Sequence, residues 1–212
     1  MKGPSLISYT ACPIPQLTEI SRAYDTQWST AIDMMDATTL INADAEGNLS
    51  IWQRDEALLE SDRKRLSRIG EMRLGQMINR IRHINVQTQH LIPNAVLQPC
   101  AYIATVEGGL YFLAKISEAK TQLLLQLQSN LAQVALGVGG LSFDRWRGFV
   151  TPARLTEAPF RIVDGDFIQR FLELDDDAAR TVVAGGGGGG AIELDATVDE
   201  VRSLVESLKT FH

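Results

Sequence analysis

Three imidazoles, two thiols and two aspartate clusters are the side chains of this 212-residue chain with the most obvious chemical potential. His83, His90 and His212 stand beside no Ser or Cys in a nucleophile motif and in no HExxH pair, so the spacing for acyl transfer or zinc hydrolysis is missing. Cys12 and Cys100 lie far apart, outside any CxxC or Cys/His cluster. That pattern supports neither a zinc site nor a disulfide framework and predicts a reducing compartment. Asp164-Gly165-Asp166 begins like half a calcium loop, but no third ligand follows at the required spacing. Capping of helix N-termini is the expected work of that pair and of the Asp175–Asp177 triplet. Gly185 to Gly190 matches GxGxxG only because every position is glycine. With no βαβ context, and no GxxxxGK[ST] elsewhere, the run reads as a flexible linker. No enzyme, cofactor or metal is expected.

One basic cluster remains. Arg63, Lys64, Arg65 and Arg68, with Arg73, Arg80 and Arg82, lie in a stretch of eight basic and five acidic residues from Arg54 to Arg82. The first four are weak nucleic-acid candidates, since interleaved acids and a single nearby Trp52 fit a solvated face better. Net charge is −6, and residues 1–160 are balanced at 15 basic and 15 acidic, so the deficit belongs to the last 52 residues. A chain coating DNA along its length is thereby excluded. No apolar run approaches a membrane span.

The elements that must carry these residues change character along the chain. Thr39 to Arg54 holds two short apolar segments around Glu-Gly-Asn, and Cys100 to Lys115 holds two around Glu-Gly-Gly. Both are hairpin signals, and they align at an offset of 61 residues, as in a repeated β unit such as a propeller blade with a long insertion. SLISYT and STAIDMM are expected to complete the first unit. EALLESDRKRLSRIGEM is expected to be a surface insertion or short helix, followed by a strand pair between Arg73 and Val86. From Ser117, a predicted cap, Lys120, Leu124, Leu127, Leu131 and Val134 recur at helical spacing until Gly137. Three short helices follow, begun by Asp164 or Asp166, by Asp175, and by a Thr197/Glu200 capping box. The domains expected are strands over 1–116 and helices over 117–212, with the glycine linker at 185–190.

FRIVDGDFIQRFLELDDDAARTVV, ATVDEVRSLVESLKTFH, SRAYDTQWSTAIDMMDATTLINADAEGNLSIWQRD, SDRKRLSRIGEMRLGQMIN, TVEGGLYFLAKISE, LLLQLQSNL and FDRWRGF occur here in that family's order and spacing: the chain resembles the C-terminal region of the large-subunit family of damaged-DNA-binding protein, the cullin-4 ubiquitin ligase adaptors. VDGD is shared with sister families, a cleavage and polyadenylation factor subunit and a splicing subunit, which supply the alternative reading of a nucleic-acid-binding factor in mRNA 3′-end processing or splicing. The resemblance implies the closing blades of a β-propeller followed by an α-helical domain, in a nuclear and cytoplasmic scaffold without an active site. It implies substrate receptors with helical motifs as partners, and contact with the family's remaining propellers. The cullin is reached only indirectly, DNA or RNA is a possible ligand, and no membrane is involved. Carried over to this sequence, Arg22, Trp28, Met77 and Asn79 match receptor-contacting positions. Arg80 stands beside them where the family has an apolar residue. The hexaglycine replaces a more mixed polar loop.

Overall fold

A computed structural model describes residues 7–11, 17–54, 64–84, 96–151, 154–185 and 192–209. They form two compact units that interleave along the chain rather than meeting at a single cut. Residues 1–85, 100–113 and 149–160 make one; 86–99, 114–148 and 161–212 make the other.

The first unit is built from antiparallel strands. β1 (Ile7–Ala11) pairs with β2 (Leu17–Arg22) in a small separate sheet, so SLISYT does not complete the first repeat. β3 (Ser29–Met34), β4 (Thr39–Asp44), β5 (Asn48–Arg54) and β6 (Leu66–Arg73) form a four-stranded meander. β6 occupies part of the segment expected to be an insertion or helix. Leu66, Arg68, Gly70 and Met72 pair with Arg54, Trp52, Ile51 and Leu49 of β5 across a bulge at Ile69, and cross-strand pairing outweighs the charged composition that suggested a surface loop. β7 (Ile78–His83), β8 (Leu97–Thr105) and β9 (Leu110–Ile116) form a three-stranded meander. The strand pair expected between Arg73 and Val86 is therefore the end of one sheet and the start of the next.

The two sheets repeat each other register for register. Ser29 pairs with Asp44 and Ala31 with Ala43 across a one-residue bulge at Thr30; Ile78 pairs with Thr105 and Arg80 with Ala104 across the same bulge at Asn79. The second strands are offset by the 61 residues read from the sequence, whereas the first strands are offset by 49 because the connection before β8 is longer. The sheets pack face to face through Ile41, Ala43 and Leu49 of one and Ile78, Ile81, Ala101 and Ile103 of the other. Burial of such side chains contributes roughly 1.5–3 kcal/mol each. On the opposite face of the first sheet, Leu40, Trp52 and Leu66 gather with Ala23. Two short strands, β10 (Phe149–Thr151) and β11 (Arg154–Glu157), return to this unit later in the chain.

The second unit is mainly helical. α1 (Glu118–Val134) buries Leu124, Leu127 and Leu131 as its periodicity requires, but Val134 is exposed. Ser117 occupies the N-cap without a side-chain bond; its carbonyl accepts from Lys120 and Thr121 instead. α2 (Phe143–Arg147), α3 (Gly165–Gln169), α4 (Asp176–Val183) and α5 (Val198–Lys209) close around Phe143, Phe167, Phe171, Val182, Val201 and Val205. Asp164 caps α3 by accepting from the Phe167 amide, and Asp175 caps α4 through Ala178. Thr197 and Glu200 bond each other's amides as a capping box for α5. Only Gly185 of the hexaglycine is described. At φ +69, a Cβ there would stand 2.7 Å from the Ile192 carbonyl carbon. The two sides of the run are held together: Leu194 N donates to Val183 O, and the buried Asn130 amide bonds the carbonyls of Val182 and Ile192.

Candidate partner-binding site

The turns of the two repeated hairpins share one end of the first unit, and their chemistry follows from a side chain at the end of β4 or β8. Asp44 Oδ1 accepts from the amides of Glu46 and Asn48; at the equivalent place in the second repeat, Thr105 Oγ1 accepts from the Gly109 amide. Gly47 and Gly108, both at positive φ, make the turns. Burial pushes the Asp44 carboxyl up from its ordinary value, partly offset by the Asn48 hydrogen bonds.

The third turn position shows why the repeats differ. Asn48 donates one hydrogen bond to Asp44 and another to Val150 O, and its Oδ1 accepts from Val150 N, which ties β10 to the first sheet. Its counterpart Gly109 has no room for a side chain. A Cβ there would be 2.6 Å from Gln76 Oε1 and 2.9 Å from Thr105 Oγ1. That space belongs to Gln76, whose Oε1 accepts from the hydroxyls of Thr105 and Tyr111.

Backbone bonds link these turns to the predicted site residues. Ala45 N donates to Trp28 O, Leu74 N to Gly47 O, and Val106 N to Met77 O. The series brings Trp28, Met77 and Val106 to the same end of the sheets, where they are 67 %, 43 % and 59 % exposed. Large exposed apolar side chains at one end of a rigid scaffold are the composition of a protein-docking patch. Asn79 is the exposed bulge residue of β7, a position where side chains are re-aimed away from the ladder. Arg80 follows it, also exposed, on the face shared with Ala104. Arg22 lies apart from this series at the end of β2, where its guanidinium pairs with Glu19 at 2.7 Å and holds that carboxyl below its usual range.

The basic candidates divide. Arg63 lies outside the described residues; Lys64 and Arg65 are exposed beside Arg22, whose amide donates to Lys64 O at 2.7 Å. Arg68 is committed internally. Its guanidinium pairs with Glu71 and Asp25, each at 2.6 Å, and lies 4.9 Å from the Trp52 ring centroid and 4.8 Å from that of Phe149. The sequence showed the charge of Arg68 but not Phe149, which is supplied from 81 residues further along the chain.

The remaining polar clusters are occupied by structural work. Asp164 Oδ2 accepts from the buried Arg147 Nε at 2.6 Å while Oδ1 caps α3, and the Asp164 amide donates to Gln128 Oε1. Among the described residues, no group of three or more His, Cys, Asp and Glu is placed to hold a metal ion, and no helix is long and apolar enough to cross a membrane. His83 is exposed, and its amide donates to Asp33 Oδ2 of the neighbouring sheet; His90 and His212 lie outside the described residues.

DNA damage-binding protein 1a of Arabidopsis thaliana is 32 % identical over 177 residues, which is 82 % of this chain and 16 % of that protein. DNA damage-binding protein 1 of Schizosaccharomyces pombe is 31 % identical over 199 residues, 93 % of this chain and 18 % of that protein. DNA damage-binding protein 1b of Arabidopsis thaliana is 28 % identical over the whole chain and 19 % of its own length. The chain thus spans less than a fifth of the length of these relatives. Residues 1–173 match the model of the CPSF A subunit region, and the chain belongs to that family.

Proposed function

We propose that this chain is part of a non-enzymatic scaffold of the DNA damage-binding protein 1 type, in which β3–β6 and β7–β9 are successive blades of a β-propeller. In this reading it serves a cullin-4-type ubiquitin ligase in the recognition of DNA damage, in the nucleus and cytoplasm, and docks substrate receptors through their helical motifs. The observation that carries the reading is the register-for-register repeat, bulge included, whose turn end presents Trp28, Met77 and Val106 to solvent. Repeated antiparallel meanders stacked face to face are the construction of a propeller, and the ends of the blades are its ligand surface. An amphipathic receptor helix would lay its apolar face on Trp28 and Met77, with Asn79 and Arg80 at the polar margin. Contact with the cullin is indirect, because the resemblance assigns it to a propeller outside this chain. The internal commitment of Arg68 weakens the sister-family reading of a nucleic-acid-binding processing factor, since the cluster loses a phosphate contact.

Titration of a labelled receptor helix tests this proposal. Trp28→Ala is expected to weaken binding at least tenfold and Met77→Ala several-fold, as for central apolar anchors. Unchanged binding by both variants, with circular dichroism intact, would count against the site.

A further inference from the structure

The two repeats are equivalent beyond the limits of their strands. The 49-residue offset of β3 and β7 carries Gln27-Trp28 onto Gln76-Met77, so each exposed apolar anchor of the turn end follows a glutamine. Both glutamines are bonded inward while the next residue faces solvent: Gln27 is 7 % exposed and Gln76 half-buried, against 67 % for Trp28 and 43 % for Met77. Gln27 Oε1 accepts from the buried Asn42 Nδ2 at 2.9 Å. Gln76 Oε1 accepts from Thr105 Oγ1 at 3.1 Å and from the Tyr111 hydroxyl at 3.0 Å. Gln76 does more than its counterpart, because the two hairpin turns meet at it. Its main chain rests on the first turn: a Cβ at Gly47 would stand 3.0 Å from Gln76 O and 3.1 Å from Gln76 N, and Gly47 O accepts from the amides of Leu74 and Gly75. Its side chain is fixed to the second. Thr105 Oγ1 also accepts from the Gly109 amide and so belongs to that turn, and Gly109 lacks the Cβ that would stand 2.6 Å from Gln76 Oε1.

The first turn reaches Trp28 through the Ala45 amide, and the second reaches Met77 through the Val106 amide. One side chain therefore joins the turn bonded to Trp28 to the turn bonded to Met77. We infer that Gln76 is a positioning residue of the docking end: it fixes the separation of Trp28 from Met77 and Val106 without itself touching the partner. The inference rests on the proposed docking reading and deepens it. An amphipathic helix presents its apolar side chains at fixed steps of three and four residues, so the spacing of the anchors matters to it as much as their chemistry. Anchors held at that spacing in the free protein need no ordering when the helix binds. The chemistry required at position 76 is a double acceptor. Two hydroxyl hydrogens converge on one oxygen, which a carboxylate supplies as well as an amide does and an alkyl side chain cannot.

A fluorescein-labelled amphipathic receptor helix, apolar at i, i+3, i+4 and i+7, is titrated into the full chain, whose methionine methyl groups are isotope-labelled for nuclear magnetic resonance. Gln76→Leu is expected to weaken binding by about fivefold or more and to shift the Met77 methyl signal, while the signal of Met72, 3 % exposed on β6, stays in place. Gln76→Glu keeps the double acceptor and is expected to return binding to within about twofold of the parent, with the Met77 signal restored. Tyr111→Phe removes one donor and little else; it is expected to shift the Met77 signal in the same direction and to weaken binding about twofold, and it decides the matter if Gln76→Leu does not fold. An unmoved Met77 signal in both Gln76→Leu and Tyr111→Phe overturns the inference, as does parental binding by a Gln76→Leu variant whose Met77 signal has moved. A binding loss shared by Gln76→Glu would make Gln76 a direct contact of the helix, and a Met72 signal that moves with Met77 would make it a general support of the fold. Either result also overturns the inference. Trp28→Ala is titrated in parallel. If it binds the helix as the parent does, the docking reading fails, whereas the methionine signals judge the positioning by Gln76 on their own.

Discussion

Replacing Arg68 by Met removes a charge that the first unit has built around. The Arg68 side chain is 14 % exposed and its partner Glu71 only 8 %, so the variant takes from a buried carboxylate the guanidinium that it holds at 2.6 Å. Loss of one partner from a buried pair costs about 3–5 kcal/mol. The Asp25 pair, whose acid is 58 % exposed, adds at most about 1 kcal/mol. The two ring contacts contribute about 0.5–1 kcal/mol each, which the Met side chain partly replaces by packing on Trp52 and Phe149. The expected destabilisation is therefore about 3–5 kcal/mol. That is a large share of the roughly 5–15 kcal/mol that holds a domain. Urea unfolding followed by tryptophan fluorescence measures it. Arg68→Met/Glu71→Leu should recover about 2 kcal/mol or more, because the buried carboxylate is then gone. A single variant within about 0.5 kcal/mol of the parent, combined with weakened and less salt-dependent nucleic-acid binding, would refute the internal role and return Arg68 to a phosphate-contacting surface.

Gly47→Ala should cost about 1–3 kcal/mol, since φ is +79 and the new Cβ would meet Gln76 O at 3.0 Å; Gly75→Ala, also at positive φ but with open space around it, should cost less by the same urea assay. Asp164→Asn keeps a capping oxygen but removes the carboxylate charge that the buried Arg147 holds at 2.6 Å, and should lower the melting temperature of the second unit by more than Asp166→Asn does; equal effects would contradict the buried pair. The Thr197 hydrogen bonds hold the Glu200 carboxyl below its ordinary value, and Arg202 does the same for Asp176. Both groups therefore contribute stability above the unfolded-state carboxylate pKa, lost as pH falls through their lower folded values. Thr197→Ala should flatten the acid limb of a melting-temperature profile. Calcium or zinc added to the chain should leave melting unchanged, because Asp164 is spent on Arg147 and the α3 cap.

The hairpins were readable because Gly47 and Gly108 mark turns and the apolar positions around them match at a constant offset. Their extension into β3 and β7 was hidden, since the longer connection before β8 changes the offset from 61 to 49 and the bulges at Thr30 and Asn79 break strict alternation. β6 was missed for a different reason. Its charges are typical of a loop, while its strand character depends on pairing with β5, a tertiary fact. The helical caps were legible from local spacing, because each is made within four residues. Trp28 and Met77 are binding candidates through the family resemblance alone, and their shared position at the turn end depends on hydrogen bonds from Ala45 and Val106, which no linear pattern encodes. Arg68 shows the converse: an exposed-looking cation in the sequence becomes a partly buried staple once Phe149 returns to the sheet.

In the proposed function, the turn end of the repeated sheets docks a helical protein partner. The most direct measurement of this docking is the affinity of a labelled receptor helix for the parent chain, Trp28→Ala and a control, Gln53→Ala, exposed on β5. The account predicts that Trp28→Ala weakens binding by roughly thirtyfold, about 2 kcal/mol, while the control and the circular dichroism spectra stay unchanged. Equal affinities for all three proteins, or equal losses in both variants, would contradict it.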